Sequence, residues 1–291
     1  MTRIIALILL FGWGCDSSAP AEPSGPHTLT VDVLSLNLRN KEDWWEDRMP
    51  LVADGVVALA PDVIGFQEVA TQEMQLEVLL GLVDEGDPEL DYRFEVTLKA
   101  EPHATLTGEA LATAARFPIV DKDVVYLSEA RVASFSRLDL GRGHRLDVYN
   151  THLHPAASDA DVRLAQVNSI LEFIDSHNDG WPVVLTGDFN ATSDEDALGA
   201  IRAAGYTDTY AKVHGAETET KGATSPVSLA RKPVEQKFTR RIDYIFLRSG
   251  TRETSSKVID STIEFNEPAA DGLYPTDHLG VFTTIDLAFP E

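Results

Sequence analysis

The chain has almost no cysteine: one thiol, Cys15, in 291 residues. No disulfide can form within it, so a hydrophobic core has to hold whatever it folds into. Positive charge is also scarce, with 24 lysine and arginine residues against 47 aspartate and glutamate, a formal net charge of −23. That acidity favours solubility and weakens non-specific attraction to nucleic acid or anionic lipid, although a local site can differ from the mean. The apolar run at residues 4–11 is too short to span a bilayer. There is no Gly-x-Ser-x-Gly elbow of a serine hydrolase, no phosphate-binding P-loop and no internal repeat. What is present is 43% hydrophobic residues, enough for one large domain or two small ones. Polar motifs spread from residue 37 to residue 278 favour one domain.

The first residues stand apart. Arg3, the apolar run Ile4–Phe11 and then Gly12, Trp13, Gly14 and Cys15 have the order of a secretory signal peptide. The segment resembles a bacterial lipoprotein signal, in which Cys15 becomes the lipidated first residue. Gly14 suits the position before it, while Gly12 departs from the leucine usual three before the cysteine. The reading predicts a leader over 1–14, a Ser/Pro/Gly-rich tether over 15–27 and a domain over 28–291. It predicts an exported protein, anchored to a membrane through Cys15 or else secreted, and monomeric, with no protein partner implied.

Strands and helices alternate along the domain. Leu29–Asn37, Asp62–Val69, Tyr92–Leu98, Arg131–Arg137, Leu146–Leu153, Val183–Thr186, Arg241–Leu247 and Val281–Phe289 read as strands. Helical spacing covers Pro50–Leu59, with Pro50 in a first turn, then the region of Met74–Leu79, Asp161–His177 and Asp194–Ala204. Gly108–Ile119 is less regular, and its small residues suggest tight packing. Residues 209–239 read as long loops. This alternation predicts a layered α/β fold. Trp44 and Trp45, at helix-like spacing, are expected in the core. Residues 231–241 carry a local charge of +4, from Arg231, Lys232, Lys237, Arg240 and Arg241 against Glu235; they read either as an anion-placing segment or as a solvated loop.

Polar residues recur where apolar runs end: Asn37, Glu68, His152, Asp188, Asn190, Asp243, Asp277 and His278. Eight such positions suggest one site at one end of a sheet. They lie in six motifs, Leu36-Asn37, Gly65-Phe66-Gln67-Glu68-Val69, Asn150-Thr151-His152-Leu153, Gly187-Asp188-Phe189-Asn190, Arg241-Ile242-Asp243-Tyr244 and Thr276-Asp277-His278. The series resembles the endonuclease/exonuclease/phosphatase superfamily, which includes pancreatic-type deoxyribonuclease, abasic-site endonucleases, neutral sphingomyelinases and inositol-polyphosphate 5-phosphatases. The likeness runs over about residues 28–289. It implies an α/β four-layer sandwich, two mixed β-sheets packed face to face with helices outside. It also implies an exported divalent-metal phosphoesterase that hydrolyses a phosphodiester, of nucleic acid or of a phospholipid head group. Alternatives are a phosphomonoesterase of the same fold and an inactive surface-binding domain.

The resemblance assigns roles. Glu68 is the principal metal ligand, with Asn37 and Asp277 beside it, and hard oxygens suit Mg²⁺ or Mn²⁺. Asp188 orients or deprotonates water, and Asn190 holds water or phosphate. His278, oriented by Asp243, bonds phosphate or moves a proton. His152 is the second family histidine and Glu109 its acidic partner. Arg131 is placed to touch phosphate. His154 reads as a rim histidine. Two departures stand out: Ala114-Ala115 replace the usual Leu-Ser, and Arg39 stands where abasic-site endonucleases carry an acid.

Overall fold

In a computed structural model, residues 27–99, 106–215, 221–253 and 255–290 are described. The predicted leader, Cys15 and nearly all of the predicted tether lie outside them. The chain forms β1 (His27–Asn37), α1 (Trp45–Leu59), β2 (Val63–Ala70), α2 (Gln75–Gly86), β3 (Arg93–Leu98), β4 (Glu109–Ala115), β5 (Ile119–Tyr126) and β6 (Val132–Gly141). Then come β7 (His144–His152), α3 (Ala160–Ser176), β8 (Val183–Asp188), α4 (Asp196–Ala203), β9 (Thr207–Asp208), α5 (Thr209–His214), β10 (Asp243–Arg248), β11 (Ser255–Glu264) and β12 (Gly280–Phe289).

Two mixed six-stranded sheets result, in the orders β11-β12-β1-β2-β4-β3 and β5-β6-β7-β8-β10-β9. Each is centred on a parallel pair, β1 with β2 and β7 with β8, and each pair is joined through a helix. Antiparallel strands flank both pairs. The two sheets therefore repeat one plan, although no sequence repeat announces it.

Three apolar layers hold the sandwich. Leu34, Leu36, Ile64 and Phe66 pack under Met49, Val52 and Val56 of α1 and Leu79 and Val83 of α2. Tyr149, Leu185 and Phe246 pack under Val167, Ile170 and Ile174 of α3 and Leu198 and Ile201 of α4. Between the sheets, Val31, Val33 and Val63 meet Leu146, Val148, Val184 and Ile245. This is the predicted four-layer sandwich.

The inner faces change character along their length. Side chains alternate with period two, so every second residue points between the sheets. On β1 the series runs Val31, Val33, Ser35, Asn37; on β7, Leu146, Val148, Asn150, His152; on β8, Val184, Thr186, Asp188. One end of the sandwich is dry and aliphatic, the other polar and buried. Asn150 spans the polar end. Its Nδ2 donates to Phe66 O at 2.9 Å and Ala112 O at 3.0 Å, and its Oδ1 accepts from Gln67 Nε2 at 2.8 Å. Gly65 permits the close approach: a Cβ there would sit 2.2 Å from Thr186 Oγ1.

The structure corrects several local expectations. Helix α1 starts at Trp45, not at Pro50, so Pro50 lies inside it on the exposed side. Burial of Arg48, Met49 and Val52 outweighs the lost backbone donor. Trp45 packs against the core, but Trp44 is 57% exposed with the Arg231 guanidinium 5.5 Å from its ring centre. Gly108–Ile119 yields the regular strand β4, whose alanines fit between β2 and β3. β5 and β11 were not foreseen. The 209–239 region contains the short helix α5.

Candidate active site

All ten sequence-predicted residues sit on elements that end at the polar end of the sandwich. Asn37 closes β1, Glu68 lies near the end of β2, His152 closes β7, Asp188 closes β8, Asp243 opens β10 and Glu109 opens β4. Asn190, Arg131, Asp277 and His278 come from the adjoining loops.

Glu68 is aimed by a bulge. The β2–β4 register shifts between Phe66 and Val69, and Glu68 takes φ 53°. A left-handed glutamate inside a strand is strained, and bulges of this kind re-aim side chains at sites. Asn37 Nδ2 donates to Glu68 Oε1 at 3.1 Å and to Asp188 Oδ2 at 3.1 Å, linking the two sheets. Its Oδ1 accepts from Arg39 N at 2.8 Å. Asp277 Oδ2 pairs with Arg39 Nη1 at 3.1 Å, and Thr276 Oγ1 donates to Asn37 O at 2.7 Å.

The opposite wall is more deeply buried. Asp188 Oδ1 accepts from Asn190 N at 2.9 Å, and Asn190 Nδ2 donates to Leu153 O at 3.1 Å. His278 Nδ1 donates to Asp243 Oδ2 at 2.9 Å and lies 3.9 Å from Asp188 Oδ2. Thr224 Oγ1 donates to the same Asp243 oxygen at 2.5 Å. His152 Nε2 lies 3.5 Å from Asp188 Oδ2 and 3.9 Å from Glu68 Oε1.

Electrostatics divide these groups. Burial, and then the charge of Asp243, push the Asp188 carboxyl up to about 7. Burial alone would lower His278, but Asp243 and Asp188 hold it well above the ordinary imidazole range. His152 goes the other way: burial, then Arg131, drive it well below that range, so it is neutral. Burial and the like charge of Glu109 raise Glu68. The site thus pairs an imidazolium donor with a carboxylate of raised proton affinity, which suits proton transfer near neutral pH.

Glu109 does not grip His152 directly. Its Oε1 is 3.7 Å from His152 Nδ1 and forms an ion pair with Lys99 instead, leaving that buried ring nitrogen without a hydrogen-bond partner. Arg131 is buried, and its Nη1 has no hydrogen-bond partner among the described residues. Glu109, Asp188 and Glu68 all act on its charge. An orphaned guanidinium donor facing a carboxylate site is equipped for an oxyanion.

The donor set also fits a hard divalent cation. Among the described residues, no lysine or arginine forms an ion pair with Glu68, and its carboxylate accepts from Asn37 alone. Buried charge in that condition calls for a cation. Glu68, Glu109 and His152 bring ligand atoms within 4.8 Å of one another, as do Asp188, Asp243 and His278. The second cluster already holds its own cation in His278. Glu68 is the group left to take a metal, with Asp277 nearby and already shared with Arg39.

Sequence reasoning missed Gln67, Asn150, Lys99, Arg48 and Thr224. Asn150 could have been found, since it lies two residues before His152 and so on the same strand face. Nothing local marks Lys99 or Thr224. His154 is a rim histidine, its Nε2 3.0 Å from Asp159 Oδ2.

A two-sheet sandwich with a carboxylate–histidine cleft at one end defines a class of hydrolase scaffold. The model of the Endonuclease/Exonuclease/phosphatase family matches residues 34–278, and the chain belongs to that family. Enzymes of this superfamily depend on a divalent metal and usually act on phosphoesters. Protein angel of Drosophila melanogaster is 28% identical over 167 residues, 53% of this chain and 46% of that protein. The match thus spans about half the length of that curated relative. D. rerio TDP2 complexed with single strand DNA product superimposes with a TM-score of 0.70 at 19% identity, over 88% of this chain and 98% of that one. The human Nocturnin catalytic domain with bound sulfate anion gives 0.68 at 19%, over 90% and 97%.

Proposed function

We propose that the protein is a Mg²⁺- or Mn²⁺-dependent phosphodiesterase acting on short or single-stranded nucleic acid ends. The observation that carries the reading is the convergence of Glu68, Asp188, the Asp243–His278 pair and the unpartnered Arg131 donor in one cleft. Glu68, with Asp277 beside it, would hold the cation, whose chemistry is to stabilise charge on phosphate oxygens. Arg131 binds a phosphate oxygen. Asp188, held by Asn37 and Asn190, takes a proton from the attacking water. His278, held by Asp243, supplies a hydrogen bond or proton to the phosphate. Neutral His152 offers a hydrogen bond, not charge.

Features of the surface support this substrate class. Two of the five cations of the basic segment 231–241 are already engaged by carboxylates, which weakens the case for a long duplex. Arg231 pairs with Asp47 at 2.5 Å and Asp271 at 2.8 Å, and Arg241 is buried in a two-pronged pair with Asp208. The exposed Trp44 ring lies on the loop that follows Asn37 and suits stacking of an unpaired base. The resemblance to a structure carrying single strand DNA product agrees with this choice over a phospholipid head group. Export and lipid attachment at Cys15 remain part of the proposal and rest on the leader sequence.

The test uses purified protein with Mg²⁺, with EDTA and as His278→Ala, on single-stranded DNA, RNA, sphingomyelin and bis-p-nitrophenyl phosphate. Cleavage of a nucleic acid that both controls abolish supports the proposal. Metal-dependent cleavage of sphingomyelin alone replaces the substrate class. No turnover of any of them, with Mg²⁺ or Mn²⁺, overturns the enzyme reading.

A further inference from the structure

Among the described residues Arg48 and Arg163 are the most deeply buried arginines, and they occupy equivalent places. Each is the fourth residue of the helix that joins a parallel strand pair, Arg48 in α1 and Arg163 in α3. Each spends its guanidinium on the loop between the preceding strand and its helix.

Arg48 binds main-chain carbonyls only. Its Nε donates to Asp43 O at 2.8 Å and its Nη2 to Glu42 O at 2.8 Å and Asn40 O at 3.4 Å. Its Nη1 donates to Leu38 O at 2.9 Å and to Pro275 O at 3.1 Å. Leu38 follows Asn37, and Pro275 lies two before Asp277. One nitrogen thus joins the two segments that carry the outer ligands of the Glu68 cluster. The loop it grips needs gripping, because Arg39, Asn40, Asp43 and Trp44 all have positive φ. Gln75 ties in Glu68's strand: its Oε1 accepts from Ala70 N at 2.8 Å and its Nε2 donates to Asn40 O at 2.7 Å.

Arg163 does the same on the other half. Its Nη1 donates to His154 O at 3.2 Å and Ala156 O at 2.6 Å, and its Nη2 bonds Glu195 at 2.8 Å. It joins the segment after His152 to the segment after Asn190. Gln166 repeats the role of Gln75, accepting from His154 N at 3.0 Å.

We infer that Arg48 and Arg163 are separate positioning residues, Arg48 setting the metal-side ligands and Arg163 the proton-transfer side. The inference rests on the metal-dependent reading above. A lysine at either position keeps the charge but cannot fork between two carbonyls.

The experiment measures Mn²⁺ affinity by electron paramagnetic resonance, beside kcat and KM, on the full protein, Arg48→Lys and Arg163→Lys, with folding followed by circular dichroism. Arg48→Lys is expected to weaken Mn²⁺ binding about ten-fold, as loss of a group that orients metal ligands does. Arg163→Lys is expected to lower kcat while leaving Mn²⁺ affinity unchanged. Thr276→Val, which removes the bonds to Asn37 O and to Asp277 Oδ1, serves if Arg48→Lys does not fold, and is expected to weaken Mn²⁺ binding several-fold. Equal Mn²⁺ affinity in folded Arg48→Lys and the unaltered protein, in Thr276→Val where it stands in, or equal loss in both arginine variants, overturns the inference. A protein that binds no Mn²⁺ before any substitution overturns the metal reading itself.

Discussion

The two halves of the sandwich share a plan but treat charge differently. In the half built on β1 and β2, Glu68 and Asp277 keep 23% and 21% of their side-chain surface exposed, and among the described residues no lysine or arginine pairs with Glu68. In the half built on β7, β8 and β10, Asp188 and Asp243 keep 2% and 1%, and His278 arrives to neutralise them. One half is an open carboxylate set that needs an ion from solution. The other is a closed set whose charges balance internally. The proposed hydrolysis would use both, one to hold the cation that draws electrons from a phosphate and one to move protons, with each sheet supplying one of them.

The largest expected effects come from exchanging roles across that divide. Asp188→Asn and His278→Ala should each lower kcat by about 10²–10⁴ in steady-state assays. Both should keep the melting shift that Mn²⁺ causes. Glu68→Gln should lower kcat comparably and lose the shift. A shift that survives in Glu68→Gln and vanishes in Asp188→Asn would reverse the assignment of the halves.

Metal removal tests the same contrast by stability. At a hundred-fold excess over Kd, Mn²⁺ should stabilise the protein by about 2.7 kcal/mol, and EDTA should remove that gain in thermal denaturation. Next comes the seam between the sheets. Gly65→Ala should destabilise by about 1–3 kcal/mol in urea, since its methyl group would meet Thr186 Oγ1. Thr186→Ala in the same chain should recover part of the loss. Asn150→Ala should cost about 1–3 kcal/mol, because it removes an acceptor from Gln67 and a donor from the Phe66 and Ala112 carbonyls. The smallest effect belongs to the surface: Asp47→Ala should change stability by less than about 1 kcal/mol, since its partner Arg231 is exposed and keeps Asp271.

The strands that carry the site were legible because each ends an apolar run at a polar residue, as Val183–Asp188 does. β4 was not, since alanine has little strand preference, and only its place between β2 and β3 makes it a strand. Trp44 looked like core because it adjoins Trp45, yet the helix begins between them and turns it outward. The basic segment stayed open between an anion-placing segment and a solvated loop because charge was counted along the chain. Asp47 and Asp271, which pair with Arg231, and Asp208, which pairs with Arg241, come from distant positions. Lys99 was invisible for the same reason, being defined by its pairing with Glu109 across a strand pair.

The direction of β1 has a spatial consequence. The strand enters the domain at His27, beside the ring stack of His144 and Phe289, and delivers Asn37 to the cleft ten residues later. At about 3.3 Å per residue that is a standoff of roughly 35 Å. The mouth of the cleft therefore faces away from the end of the sandwich at which β1 begins.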